Sequence, residues 1–151
     1  MQKEGGIIRL CVGDAKLCHI HFKIVEIHLA YGKGSLKDKV IFHPLVNLCV
    51  RDLRIYADAL DGNVYHYRDK AGLECDAVIH LRNGRYGLVE VKLGGDKLIN
   101  EGAESLKKLA GRIDTGKMRE PAFMMVLCGV APFAYKREDG VYVVPVTCLK
   151  D

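Results

Sequence analysis

Two strand-like segments joined by a tight reversal, together spanning residues 73–92, constrain the fold of this chain more than any other stretch. Strand side chains alternate between two faces, so the pattern predicts Glu74 and Asp76 on one face of the first strand. The other face then carries apolar side chains, namely Leu73, Cys75, Ala77, Ile79 and Leu81. The second strand repeats the pattern with Glu90 and Lys92. Since buried charge is costly unless it is paired or metal-bound, our hypothesis is a metal-dependent phosphodiester site.

The loop between these strands sets a geometric condition for that site. If the loop had two residues, the carboxylates of Asp76 and Glu90 would face apart, because a shift of one residue reverses every side chain. A three-residue loop over 83–85, with Arg82 opposite Tyr86, or a bulge would bring them together. The hypothesis therefore predicts an odd register.

Length and composition are those of one globular domain. The chain has 151 residues, of which 49% are hydrophobic and 28% charged, and such a composition excludes a disordered or fibrous chain. It has no run of about 18 apolar residues and no secretory pattern at its start, which excludes a membrane partner. The six cysteines include no Cys-x-x-Cys pair. We therefore expect a cytoplasmic protein, and the sequence leaves open whether it forms a homo-oligomer.

Residues 1–43 are predicted to be an N-terminal extension to a domain over residues 44–151. Apolar runs at 7–12 and 18–29 are typical of a β-hairpin. Four side chains in this region are of types that bind zinc, but their spacing fits no structural zinc template: Cys11, Cys18, His19 and His21. Ordinary strand side chains are the better interpretation.

A glycine- and lysine-containing segment at residues 32–35 invites comparison with a nucleotide site. A phosphate-binding loop needs Gly-x-x-x-x-Gly-Lys-Ser/Thr between a strand and a helix, and the first glycine is missing here. We therefore expect no ATP site in this chain.

The first element of the main domain is predicted to be a helix at 44–60. Its apolar residues recur at helical spacing, Pro44 suits the first turn, and Asp61-Gly62 supplies the end. A short aromatic strand at 64–68 then precedes the strand pair, which gives three successive antiparallel strands.

The rest of the chain predicts a second helix at 97–113 and a strand at 122–128 without polar alternation, as in strands covered on both faces. A connection of this length predicts that the strand is parallel to 85–92. A last hairpin turns at Asp139-Gly140. The predicted fold class is α/β (α+β), with a mixed sheet in the order helix-strand-strand-strand-helix-strand plus a C-terminal hairpin.

Basic residues crowd the second helix and the residues after it. A net charge of +4 is too small by itself to indicate a nucleic-acid protein. The cluster could lie along a phosphate backbone or be a solvated helix face. Four of its members are candidate nucleic-acid contacts: Lys97, Lys107, Lys108 and Arg112.

This element order, with Asp76 on the second strand and the Glu90-x-Lys92 motif on the third, resembles the PD-(D/E)xK nuclease fold, the restriction-endonuclease-like core. More closely, residues 51–151 resemble the uncharacterised domain at the C-terminal end of many prokaryotic AAA-type ATPases. Three segments carry that second resemblance: 67–76, 87–92 and 139–145.

The nuclease resemblance implies a role for each site residue. Asp76 and Glu90 would hold Mg²⁺ or Mn²⁺, with the backbone carbonyl of Val91 as a further ligand, since hard cations prefer oxygen. Lys92 would orient or polarise the attacking water. Glu74 would be either an auxiliary ligand or a solvated carboxylate. The implied reaction is cleavage of DNA, with RNA as the less favoured substrate. The alternative for the trio is a surface salt bridge between neighbouring strands.

Two departures from the resemblance keep a second function open. Many nuclease-fold members place an acidic residue on the first helix, where this chain has Leu45-Val46. Residues 1–43 also do not resemble the ATPase that precedes the related domain. The alternative is a non-cleaving DNA-binding or protein-binding regulatory module that uses the basic segment.

Overall fold

The computed structural model describes residues 36–149, with side chains from Phe42 onward. The predicted N-terminal hairpin, its four candidate zinc ligands and residues 32–35 lie outside the described residues. The first helix, α1, runs over Leu36–Asp58. The prediction that it begins at residue 44 is wrong, because Pro44 lies inside the helix. A proline removes one hydrogen bond to the preceding turn, but the residues before it can still be helical.

Six strands and a second helix follow α1 along the chain. The first three strands form the predicted antiparallel meander: β1 (Gly62–Arg68), β2 (Glu74–Leu81) and β3 (Tyr86–Gly94). The remaining elements are α2 (Asp96–Ala110), β4 (Phe123–Val130), β5 (Tyr135–Lys136), β6 (Tyr142–Pro145) and a short 3-10 helix, Val146–Cys148. The order across the sheet is β1-β2-β3-β4-β6-β5.

The pairing confirms the predicted mixed sheet. β4 runs parallel to β3, as expected for two strands joined through a helical crossover, and also parallel to β6. β5 and β6 form the predicted C-terminal hairpin. The fold is therefore an open α/β sheet in which the helix comes first and the C-terminal strands close one edge.

Each helix covers one face of the sheet. The α1 core contains Val46, Cys49, Val50, Leu53, Tyr56 and Ala57 with strand residues Ala77, Ile79, Leu81, Val89, Val91, Phe123, Met125, Leu127 and Val144. The α2 core contains Ile99, Ala103, Leu106 and Leu109 with Cys75, Tyr86, Leu88, Val126, Cys128, Val141 and Val143. Successive residues of β4 alternate between the two cores, which confirms that this strand is covered on both sides.

Three hairpin loops share one construction. Each has three residues, and the third is a glycine with a positive φ: Gly72 at 82°, Gly84 at 80° and Gly140 at 85°. In each loop this glycine donates its N–H to the carbonyl three residues earlier, and the flanking pair closes the loop with a second backbone bond. Such three-residue loops combine a turn with a left-handed residue, which glycine adopts without a steric cost.

The described cysteines are all free thiols. Cys49, Cys75 and Cys128 are buried, and Cys148 is half-buried. Among the helices of residues 36–149, none is long and apolar enough to cross a membrane.

Candidate functional site

The β2–β3 loop has the odd register that the site requires. Ala77 pairs with Val89, and the ladder reaches the loop with Leu81 opposite Arg85. The loop is therefore residues 82–84, one residue earlier than the predicted 83–85. The reason is Gly84, which must occupy the third loop position because that position takes a left-handed φ.

A bulge interrupts the pairing of β1 with β2 beside Asp76. The register shifts between Tyr65 and Tyr67, so that His66 stands opposite both Asp76 and Ala77. A bulge bends its strand and re-aims the side chains next to it. Asp76 is therefore placed at a bend in β2 and not in a regular stretch of strand.

The bulge also overturns the uniform alternation predicted for β2. Ala77, Ile79 and Leu81 pack in the α1 core, but Cys75 packs in the α2 core and Leu73 packs against it. The apolar residues therefore change face at Asp76, because the extra residue reverses the alternation.

The Asp76 carboxylate reaches β3. Its Oδ2 accepts a hydrogen bond from the backbone N–H of Val91 at 2.8 Å. Strand N–H groups lie in the sheet, so this carboxylate points along the sheet toward β3 and not out from one face. Since the N–H and C=O of one strand residue point to the same neighbour, the Val91 carbonyl faces the same side.

Glu90 and Lys92 lie on the face that α2 covers, because they alternate with the residues of β3 in the α1 core, Val89 and Val91. Glu90 is 5% exposed, and among the described residues it is the charged side chain that the fold buries. Lys92 Nζ donates to Glu90 Oε2 at 2.7 Å. The Glu90–Lys92 ion pair therefore lies on the side of the sheet that α2 covers.

Gly102 on α2 makes room for Lys92. A Cβ atom at this position would lie 3.2 Å from Lys92 Cε, closer than most real Cβ contacts. Gly102 was not predicted as a site residue, although a glycine in the middle of a predicted helix is a signal of close packing. The same holds for His66, whose place opposite Asp76 depends on the bulge.

Burial makes both carboxylates costly to ionise, and the charge of Asp76 adds to that cost at Glu90. Burial, followed by the charge of Asp76, raises the pKa of Glu90 to about 7, against the opposing effect of Lys92. Burial also raises the pKa of Asp76, although the Val91 N–H and Lys92 oppose it. Burial acts to lower the pKa of Lys92, but the charge and hydrogen bond of Glu90 raise it above its ordinary value. One lysine thus faces two carboxylates, and the cluster favours a further cation.

The donor set fits a hard cation and not zinc. Within the described part of the chain, no three His, Cys, Asp or Glu side chains come together as a metal site. The site offers two carboxylates, Asp76 and Glu90, and the Val91 carbonyl. Mg²⁺ prefers oxygen ligands and keeps several waters, so it needs few protein ligands.

The remaining acidic candidates do not add to this set. Glu74 pairs with Arg68 at 2.9 Å, which favours the interpretation as a strand carboxylate over that of an auxiliary ligand. On α1, Val46 is buried in the α1 core, and a Cβ at Gly129 would lie 3.1 Å from Leu45. The first helix therefore presents apolar side chains at the positions where the resemblance expects an acid.

The four candidate nucleic-acid contacts are all exposed, but two of them have carboxylate partners. Lys107 pairs with Asp139 at 3.0 Å, and Arg112 pairs with Asp69 at 2.6 Å. Lys97 and Lys108 have no ion pair within residues 42–149. Of these four basic residues, Lys97 and Lys108 are therefore the ones without a carboxylate partner in this range that competes with a phosphate.

Comparison with known proteins identifies a family for most of the chain. A family model described as "Domain of unknown function (DUF4143)" matches residues 46–149, more than half of the chain. Neither a search of curated proteins nor one of solved structures found a match.

Proposed function

The chain belongs to the family described as Domain of unknown function (DUF4143), and we propose that it is a PD-(D/E)xK nuclease-fold domain that hydrolyses phosphodiester bonds of DNA with Mg²⁺ or Mn²⁺. One observation carries the proposal: Asp76 binds the N–H of Val91 directly beside the buried Glu90–Lys92 pair. It supports the proposal because the resemblance to nucleases requires two carboxylates and a lysine close together.

The energetics of the cluster support a functional role over a structural one. A surface salt bridge would be exposed and balanced, but Glu90 is buried and a second carboxylate, Asp76, raises its pKa. Buried groups whose pKa is strongly perturbed by a neighbouring charge concentrate at functional sites. A bound cation would offset the excess negative charge.

The chain's own residues have separate roles in the proposed reaction. Asp76, Glu90 and the Val91 carbonyl would hold the metal, which when bound polarises a phosphoryl oxygen and lowers the pKa of a water. The methylene stem of Lys92 passes Gly102, and its ammonium group would donate a hydrogen bond to the attacking water or to a phosphate oxygen. α2 excludes bulk water from Glu90, which strengthens each of these interactions.

A second candidate is a non-cleaving module that binds DNA or protein. The observation that favours it is on α1, where the apolar residues Leu45 and Val46 stand at the positions of the acid common in nucleases. In this function Lys97 and Lys108 would contact phosphates, and the site carboxylates would have no catalytic role.

Plasmid nicking separates the two candidates. We expect the purified chain to nick supercoiled DNA with Mg²⁺ or Mn²⁺ and not with EDTA. Glu90→Gln and Lys92→Ala should each abolish nicking, whereas Glu104→Gln, an exposed carboxylate on α2, should leave it unchanged. Thermal melting of each variant checks that it folds.

Two results would count against hydrolysis. Equal nicking by all variants would identify a contaminating nuclease, and DNA binding without cleavage would favour the second candidate. For that candidate, affinity should fall steeply with salt, because phosphate contacts release counterions. Binding that is insensitive to salt would contradict it.

A further inference from the structure

Two exposed tyrosines lie on the strand that borders Asp76. β1 is at the edge of the sheet, and on it Tyr65 is 57% exposed and Tyr67 36%. They occupy alternate positions of a strand, so both rings leave the same face, about 7 Å apart at roughly 3.3 Å per residue. The strand thus presents a row of two rings to solvent.

This row faces the same side as Glu90 and Lys92. Tyr65 pairs with Val78 and Tyr67 with Cys75, and both partners pack in or against the α2 core. Glu90 lies on this face too, two strands away from Tyr67, which is about 10 Å at the usual strand spacing. A ligand on the tyrosines would therefore lie next to the proposed site.

Positive charge borders the row at its far end. Lys70 follows β1, is exposed, and has no ion pair within residues 42–149. Arg112 also lies at this turn, but its charge is paired with Asp69, so Lys70 supplies the free positive charge there. Rings with neighbouring cations are the combination that binds an unpaired nucleic-acid strand.

We infer that Tyr65 and Tyr67 form a stacking platform for unpaired bases, with the phosphates passing Lys70 toward Asp76. This inference rests on the proposed function and deepens it, since it names the substrate class as single-stranded DNA or a duplex with an unpaired end. Bases inside a duplex stack on each other and do not present a face to a protein ring. The platform therefore selects against intact duplex.

Fluorescence anisotropy with a labelled oligo(dT) in EDTA tests the platform without any hydrolysis. The double variant Tyr65→Ala/Tyr67→Ala should bind at least about tenfold more weakly, given the usual contribution of base stacking. The double variant Tyr65→Phe/Tyr67→Phe keeps both rings and should bind within about twofold of wild type. Tyr135→Ala is the matched control, because Tyr135 is 37% exposed at the opposite edge of the sheet, and it should change nothing.

Several outcomes would overturn the platform. These are wild type that does not bind oligo(dT), an alanine pair that binds like wild type, or an equal loss of affinity for a duplex of the same length. A change in sedimentation of the alanine pair, with unchanged DNA affinity, would instead make the tyrosines a contact between two copies of the chain.

The proposed hydrolysis can fail separately. Tyrosine-dependent binding by a wild-type chain that never nicks DNA would keep the platform and reject the nuclease. Nicking that the alanine pair performs like wild type, with unaltered oligo(dT) affinity, would keep the nuclease and reject the platform.

Discussion

Replacing Asp76 tests whether its carboxylate holds the site in place. Asp76→Ala removes the acceptor of the Val91 N–H, a bond of 2.8 Å to a residue that is fully buried. Water cannot replace the acceptor there, so the orphaned donor should cost about 1–3 kcal/mol. Asp76→Asn keeps an oxygen in the same place and avoids that cost.

The negative charge of Asp76 destabilises the fold, whereas its hydrogen bond stabilises the fold. Asp76→Ala and Asp76→Asn both remove the charge, so the charge does not contribute to the difference between them. Burial raises the pKa of Asp76, and its charge adds to the rise at Glu90, so the fold disfavours an ionised Asp76. A carboxyl with a raised pKa loses stability as pH rises through its folded value. Both variants remove this penalty above neutral pH. The difference in unfolding free energy between the two variants should be about 1–3 kcal/mol. It measures the cost of leaving the Val91 N–H without an acceptor, plus a small loss of packing.

Urea unfolding at pH 8 in EDTA and amide hydrogen exchange are the assays. The Val91 amide should exchange faster in Asp76→Ala than in Asp76→Asn. Asp114→Ala is the control, because Asp114 accepts the N–H of Gly116 at 3.0 Å in an exposed turn where water can replace it. That variant should change stability by under about 0.5 kcal/mol. If the alanine and asparagine variants of Asp76 were equally stable, the bond to Val91 would not hold the site.

Three further predictions concern pH and backbone geometry. The stability of wild type relative to Glu90→Gln should fall as pH rises from 4.5 to about 7, because the fold holds the Glu90 proton more tightly; parallel urea curves would contradict this. The Arg137 hydrogen bond holds the pKa of Asp139 well below its usual range. Asp139→Asn should therefore cost about 1 kcal/mol at neutral pH and less in acid, where wild type loses this contribution; an equal cost at both pH values would refute the pairing. Gly84→Ala should lower stability by about 1–2 kcal/mol, because φ is 80° there; an unchanged melting temperature would exclude that loop geometry.

Periodic patterns predicted most of the fold. The apolar stripe of α2 contains enough residues to define one buried helix face. The uninterrupted apolar run of β4 contains enough to indicate a strand buried on both faces. The beginning of α1 could not be predicted in the same way, because the preference of proline for a first helical turn is local and Pro44 lies inside the helix. A preference at one residue is weaker than the packing of a whole element.

The strand positions of Asp76, Glu90 and Lys92 were predictable from the sequence, but the local geometry around them was not. Asp76, Glu90 and Lys92 follow from their order on strands, and the odd loop follows from the need to bring them together. No glycine or proline marks the bulge at Asp76, so the sequence predicts strict alternation through β2. The partners of Lys107 and Arg112 lie far along the chain, where sequence spacing carries no information about contact.

The buried cysteines report separately on the exposure of the α1 core and of the α2 core during unfolding. Cys49 belongs to the α1 core, whereas Cys75 and Cys128 belong to the α2 core. Burial raises the pKa of Cys49 and of Cys75 to about 12, so neither thiol reacts with an alkylating reagent while the fold is closed, since the thiolate is the reactive form. Pulsed alkylation followed by peptide mass spectrometry would then record which helix leaves the sheet first.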